Sequence, residues 1–151
     1  MWLLCRLAIL RYHTLLNIDM LSNWKFDHIG VAVPEIEGAA AVYKAAGYTQ
    51  TEPVYDPIQN VHICFLSKEG MPKVELLAPH DSTSPVQQTL DKMGVTPYHT
   101  CYEVENIEEA VAELRKMRYI VVRKPEPAIA FDNRRVCFLY NKQVGLIEIV
   151  E

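Results

Sequence analysis

Short apolar runs and helical stripes alternate along this chain, and they do so twice. Phe26 to Val33 is an apolar run that stops at Pro34, which predicts a buried strand. Ile36, Ala39, Ala40, Tyr43 and Ala46 then recur at helical spacing, and Gly47 ends the helix. Thr49 to Tyr55 carries strand-like residues but contains Pro53, which places it at a sheet edge. Asp56-Pro57 signals a turn, Val61 to Leu66 a strand, Lys68-Glu69-Gly70 a turn, and Lys73 to Leu77 another strand. Ser84-Pro85-Val86-Gln87 reads as a helix start. Serine caps, proline at the first helical position has no amide proton to lose, and Gln87 can bond back to the cap. Val86, Leu90 and Met93 give the buried stripe, and Gly94 stops this helix.

The same order then returns. Tyr98 to Val104 is a strand, and Asn106 caps a helix with Glu109 at the reciprocal position. Ile107, Ala110, Val111, Leu114 and Met117 form the apolar face of that helix. Ile120 to Arg123 is a strand broken by Pro125-Glu126-Pro127, and Arg135 to Tyr140 and Val144 to Val150 are the last two. At an offset of 71 residues His28 aligns with His99, Ile36 with Ile107, Ala39 with Ala110 and Tyr48 with Tyr119. Each half reads β-α-β-β-β. The expected fold class is α+β: two βαβββ modules, 25–79 and 97–151, joined by a helical connector at 80–96. Two such halves, related by an approximate two-fold, curl their sheets around a shared cleft.

Composition narrows the setting. A chain of 151 residues, half of them hydrophobic, builds one ordinary domain or two small modules sharing a core. The net charge of −4 argues against nucleic acid as a partner. Four scattered cysteines without a CxxC pair fit reduced thiols in a cytoplasmic protein. Residues 1–24 read as an extension outside the functional argument. Arg6 and Arg11 interrupt its apolar stretch, so no membrane span and no secretory signal is expected there.

Two glutamates stand in strands that are otherwise apolar. Glu75 interrupts Val74-Glu75-Leu76-Leu77, and Glu148 interrupts Leu146-Ile147-Glu148-Ile149-Val150. Alternation places Glu75 with Leu77, and Glu148 with Leu146 and Val150. A buried carboxylate costs several kcal/mol unless it is paired or bound to a metal. His28 to Glu75 spans 47 residues and His99 to Glu148 spans 49, so each half supplies one histidine and one strand glutamate at nearly equal spacing. The four are therefore expected to converge at the two-fold axis and to hold a divalent ion: Zn, Mn, Co, Ni or Fe. Glu148 is the first choice for a proton-transferring base in the chemistry that the resemblance described next implies. His62 is either a second base or a histidine that faces outward or fills core. Asn133, Arg134 and Arg135 are candidates for holding an anionic substrate group, Cys64, Cys101 and Cys137 fill core, and Lys73, Arg115, Lys116, Arg118, Arg123 and Lys124 read as solvated helix and strand-edge positions.

These residues carry a resemblance. The pattern DHIGVAV, VELLAP, SPVQQTL, YHTCYEVENI and GLIEIV resembles the vicinal-oxygen-chelate superfamily, nearest to its methylmalonyl-CoA epimerase-like and glyoxalase-I-like members. By resemblance, the family's metal positions fall on His28, Glu75, His99 and Glu148. The resemblance implies an enzyme that coordinates a carbonyl and stabilises the enolate beside it. It also implies a small-molecule substrate, either an acyl-CoA or a glutathione adduct, and a homodimer with no membrane attachment. An epimerase is the first expectation. The alternatives are a lactoylglutathione lyase or a non-catalytic resistance protein of the same fold. Epimerases of this type often carry glutamine where Glu75 stands, and their additional catalytic glutamate has no clear equivalent around Gln59 to Cys64.

Overall fold

In the computed structural model, residues 19–151 are described, so most of the expected extension lies outside them. The first half runs α1 (Asp19–Ser22), β1 (Lys25–Ala32), α2 (Ile36–Ala45), β2 (Thr49–Gln50), β3 (Val54–Asp56), β4 (Val61–Ser67) and β5 (Lys73–Pro79). The connector is α3 (Pro85–Met93). The second half runs β6 (Thr96–Glu103), α4 (Ile107–Lys116), β7 (Ile120–Pro127), a 3-10 turn at Ile129–Phe131, β8 (Arg135–Asn141) and β9 (Gly145–Val150). Pro53 splits the expected edge strand into β2 and β3, and both pieces pair with β4.

Side-chain caps set the helix starts. The Glu35 carboxylate accepts from the Gly38 amide at 2.8 Å, and Asn106 accepts from the Glu109 amide at 2.9 Å. Ser84 accepts from the Val86 amide at 3.3 Å. The reciprocal bond expected of Gln87 is not made. Its amide donates instead to Asp91, one turn on, at 2.7 Å.

The strands form one curled sheet in the order β2-β4-β5-β1-β6-β9-β8-β7, with β3 also on β4. The expected half-sheets are thus continuous. Their seam is the antiparallel pair β1 and β6, and each seam strand pairs in parallel with the last strand of its own half. On the convex face α2 packs Ile36 and Ala40 against Cys64, Leu66 and Leu76. There α4 packs Ile107, Ala110 and Leu114 against Cys137, Leu139 and Ile149. The concave face is lined by Ile63 and Leu77 under Val86 of α3, and by Val136, Phe138 and Val150 against Phe131. The two ends of the sheet meet where Arg123 of β7 donates from Nη1 to the Ile58 carbonyl at 2.8 Å.

Leu76 and Ile149 hold matching places in the two halves, each completely buried beneath its helix. Leu76→Ala and Ile149→Ala should each cost about 2–5 kcal/mol in urea unfolding. Because the seam joins both halves in one sheet, each variant is expected to unfold in a single transition seen alike by circular dichroism and tryptophan fluorescence.

Candidate metal centre

The seam builds the site. In β1 and β6 alternate residues face the concave side, and the register sets Gly30 opposite both Glu75 and His99. Across the two-fold, Cys101 lies opposite both His28 and Glu148. Each histidine therefore leans over a small residue of the neighbouring strand. Gly30 is required there: a Cβ on it would overlap the His99 ring, 2.6 Å from Nδ1 and 2.7 Å from Nε2. His28 is held between Phe65 and Phe131, with ring centroids at 5.4 and 5.8 Å.

The result is four donor atoms around one point. His28 Nε2 lies 3.0 Å from His99 Nε2, 3.2 Å from Glu75 Oε2 and 3.4 Å from Glu148 Oε2. His99 Nε2 lies 3.3 Å from each of the same carboxylate oxygens. All four residues are buried, His99 being the most exposed at 4%. Glu75 Oε2 and Glu148 Oε2 have no hydrogen-bond partner of proper geometry. Two orphaned carboxylate oxygens and two imidazole nitrogens at this spacing fit a single divalent ion at about 2 Å from each. His28, Glu75, His99 and Glu148 are thus brought together, and the donor set fits the expected metal.

The two histidines are held differently. His28 Nδ1 donates to Asp27 Oδ2 at 2.7 Å, and Lys73 Nζ holds the same oxygen at 2.6 Å. This fixes the His28 tautomer and turns the lone pair of Nε2 toward the other three donors. His99 Nδ1 has no such partner, because Tyr98 stands where Asp27 stands in the first half. Its ring is fixed by packing on Gly30 and Phe138.

Electrostatics follow from that crowding. Burial is the largest influence on His99 and disfavours its charge. The hydrogen bonds and charges of Glu148 and Glu75 outweigh burial and raise the imidazole to about 9. His28 is opposed by burial and raised by Asp27 and Glu75 in the same way. Glu75, also opposed by burial, is brought down to about 2 by the two histidines. Without a cation, the two carboxylates keep protons on the imidazoles, and a divalent ion would take the place of those protons.

The Glyoxalase/Bleomycin resistance protein/Dioxygenase superfamily matches residues 27–138. The chain belongs to this superfamily. It is 36% identical over 129 residues to the mitochondrial methylmalonyl-CoA epimerase of Bos taurus, covering 83% of this chain and 73% of that protein. The methylmalonyl-CoA epimerase of Mycobacterium tuberculosis superposes with a TM-score of 0.74 at 26% identity, over 83% of this chain and 86% of that one. A Streptomyces coelicolor methylmalonyl-CoA epimerase variant in complex with 2-nitronate-propionyl-CoA superposes with a TM-score of 0.72 at 25% identity, over 83% and 95%.

Other residues singled out in the sequence fall elsewhere on the superfamily scaffold. Arg135 points to the convex face, where Glu108 accepts from it at 2.7 and 3.1 Å and Glu151 accepts from its Nε at 3.0 Å. Arg134 is tied to Glu103 at 3.1 Å and to the Glu151 carbonyl at 2.8 Å. Asn133 sits in the left-handed turn before them, its amide donating to the Ala128 carbonyl at 3.0 Å. The anion grip expected of Asn133, Arg134 and Arg135 is replaced by these contacts within the chain. His62 also lies on the convex face, paired with His80 at 3.0 Å, and is not a base at this centre. Cys64, Cys101 and Cys137 are buried, and burial pushes their thiols up, Cys64 and Cys137 to about 11.

Sequence reasoning passed over Asp27, although an aspartate directly before a ligand histidine was a readable signal, and it took Lys73 for a solvated edge charge. Arg123, likewise read as solvated, lines a cavity of about 140 Å³ together with Gln59, Tyr98 and Phe138. Among the described residues no helix is long and apolar enough to cross a membrane.

Two measurements check the centre. Asp27→Asn should weaken metal binding about 10–100-fold in a competition titration, with little change in unfolding midpoint. The pH dependence of the melting temperature should differ between chelated and metal-loaded protein. The raised His99 stabilises metal-free protein below its ordinary value of 6.5, and that stability is lost as pH rises through about 9. The lowered Glu75 contributes above 4.5, and its contribution is lost as pH falls through about 2. Chelated protein is therefore expected to melt highest between these ordinary values. Metal should abolish the alkaline loss by replacing the imidazole protons.

Proposed function

We propose that the protein is an epimerase that exchanges the proton on the carbon next to a thioester carbonyl, with a methylmalonyl-CoA-like substrate. The observation that carries this reading is the buried two-histidine, two-glutamate cluster, whose orphaned oxygens call for a cation. His28, Glu75, His99 and Glu148 would hold the ion. When bound, a divalent ion supplies Lewis acidity to a carbonyl oxygen and lowers the cost of removing the neighbouring proton.

The chain's own residues do the rest. Glu148 takes the proton and is the catalytic base. Inversion requires a proton to return on the opposite face of the carbon, and Glu75 is the carboxylate related to Glu148 by the approximate two-fold. Asp27 and Lys73 keep His28 in the tautomer that faces the cluster. Phe65, Phe131 and Phe138 exclude water from the histidines, so charges near the reacting carbon are little screened. The relatives are methylmalonyl-CoA epimerases, so the lyase reading is not favoured.

Glu148→Gln tests the base. With bound metal measured and matched to the parent protein, deuterium uptake at the α carbon of methylmalonyl-CoA should fall by about 100-fold or more. Uptake at the parent rate would remove Glu148 from that role.

A further inference from the structure

A second pair of imidazoles meets on the convex face, across the sheet from the cluster. Strands β4 and β5 are antiparallel with His62 opposite Ala78, and His80 follows Ala78 by two residues. Side chains two apart on a strand share a face, so His62, Ala78 and His80 project to the same side. That is the side of Cys64 and Leu76, which pack under α2. Tyr55 joins them, because β3 sets it opposite His62. The methyl of Ala78 leaves the space in which the two rings approach each other.

The rings meet nitrogen to nitrogen. His62 Nε2 lies 3.0 Å from His80 Nδ1, with ring centroids 5.2 Å apart. The Tyr55 ring packs on both, at 5.3 Å from His62 and 4.3 Å from His80. Strand pairing holds His62 from both sides, and the His80 amide donates to the Asn60 carbonyl at 3.1 Å. Backbone hydrogen bonds thus fix the base of each ring. Two nitrogens at this separation can share one proton. They can equally take neighbouring positions on one ion, because bonds of about 2.0–2.1 Å meeting near a right angle leave their donors about 3 Å apart.

The surroundings favour a cation. His80 is exposed and His62 half-buried, so an ion reaches the pair from solvent. A groove of about 270 Å³ runs beside His62, lined also by Glu35, Glu37, Ala78 and Pro79, and no lysine or arginine lines it. Asp81 follows His80, and hydrogen bonds from Thr83 and Asn60 hold its carboxyl below the usual carboxylate range and therefore charged. Among the described residues no third histidine, cysteine, aspartate or glutamate closes on the pair. The remaining positions on an ion fall to water or an external ligand, so the ion exchanges more readily than one held by four buried donors.

We infer that His62 and His80 form a second, solvent-open metal site that takes a late first-row divalent ion such as zinc or nickel. Neutral imidazole suits these ions, whereas magnesium and calcium take oxygen donors. The ion displaces the proton that the two rings share. It lies across the sheet from His28, Glu75, His99 and Glu148, so either site fills without the other. The protein therefore carries two kinds of metal: an ion sealed in the cluster, and a surface ion whose occupancy follows the free concentration. The surface site owes nothing to the epimerase reading and stands whatever the cluster does.

Calorimetric titration tests the site. Full-length protein is first loaded with zinc and desalted, its retained metal is measured, and further zinc chloride is then titrated in. The parent should bind one further equivalent. His62→Gln and His80→Gln should each lose that equivalent, while retained metal and unfolding midpoint stay at parent values. Both positions reach solvent, so neither variant threatens the fold. His13 is the fifth histidine of the chain and supplies the control: His13→Gln should keep the further equivalent. Magnesium chloride in place of zinc should give no binding heat. The assignment is overturned if the parent takes up no further zinc, if the further equivalent persists in either His62→Gln or His80→Gln, or if His13→Gln abolishes it.

Discussion

Two carboxylates and two imidazoles sealed from water cannot be left as they are. Glu75 and Glu148 bring two negative charges into a space whose walls are otherwise Phe65, Leu77, Phe131 and Phe138. Compensation must come from protons on His28 and His99 or from one cation shared by all four. Much of the surrounding structure serves that requirement. Gly30 makes room for one ring, Cys101 lies beneath the other, and Asp27 fixes which nitrogen of His28 points inward.

The duplication made the centre readable before any coordinates. A histidine in the first strand and a glutamate in the last strand of each half, with matching intervals, already imply an axis between them. Glu75 and Glu148 also betray themselves singly, since each interrupts a strand whose neighbours on both sides are apolar. Helix boundaries were readable for a similar local reason: Glu35, Ser84 and Asn106 act on amides within three residues of themselves.

What the sequence hid depends on contacts between distant segments. Arg134 and Arg135 look available to an anion, but Glu103, Glu108 and Glu151 reach them from three other places in the chain. Arg123 looked like a solvated edge position because alternation from Val121 puts it on the wrong side. Only the register slip against β8 reverses that, and no residue type in Ile120 to Lys124 announces it. Lys73 likewise reads as a strand-edge charge until β5 is laid beside β1 and Asp27 comes within reach.

The antiparallel seam between β1 and β6 has a further consequence. Each half owns one imidazole and one carboxylate, and neither half can assemble the centre by itself. A polypeptide of half this length could still build an equivalent centre by meeting a copy of itself along that strand. Joining both copies in one chain frees them to diverge, and this chain has used that freedom. Tyr98 stands in the second half where Asp27 stands in the first, and Cys101 stands where Gly30 does. A symmetric cradle has thereby acquired a distinct front and back, which a catalyst needs if it is to tell the two ends of its ligand apart.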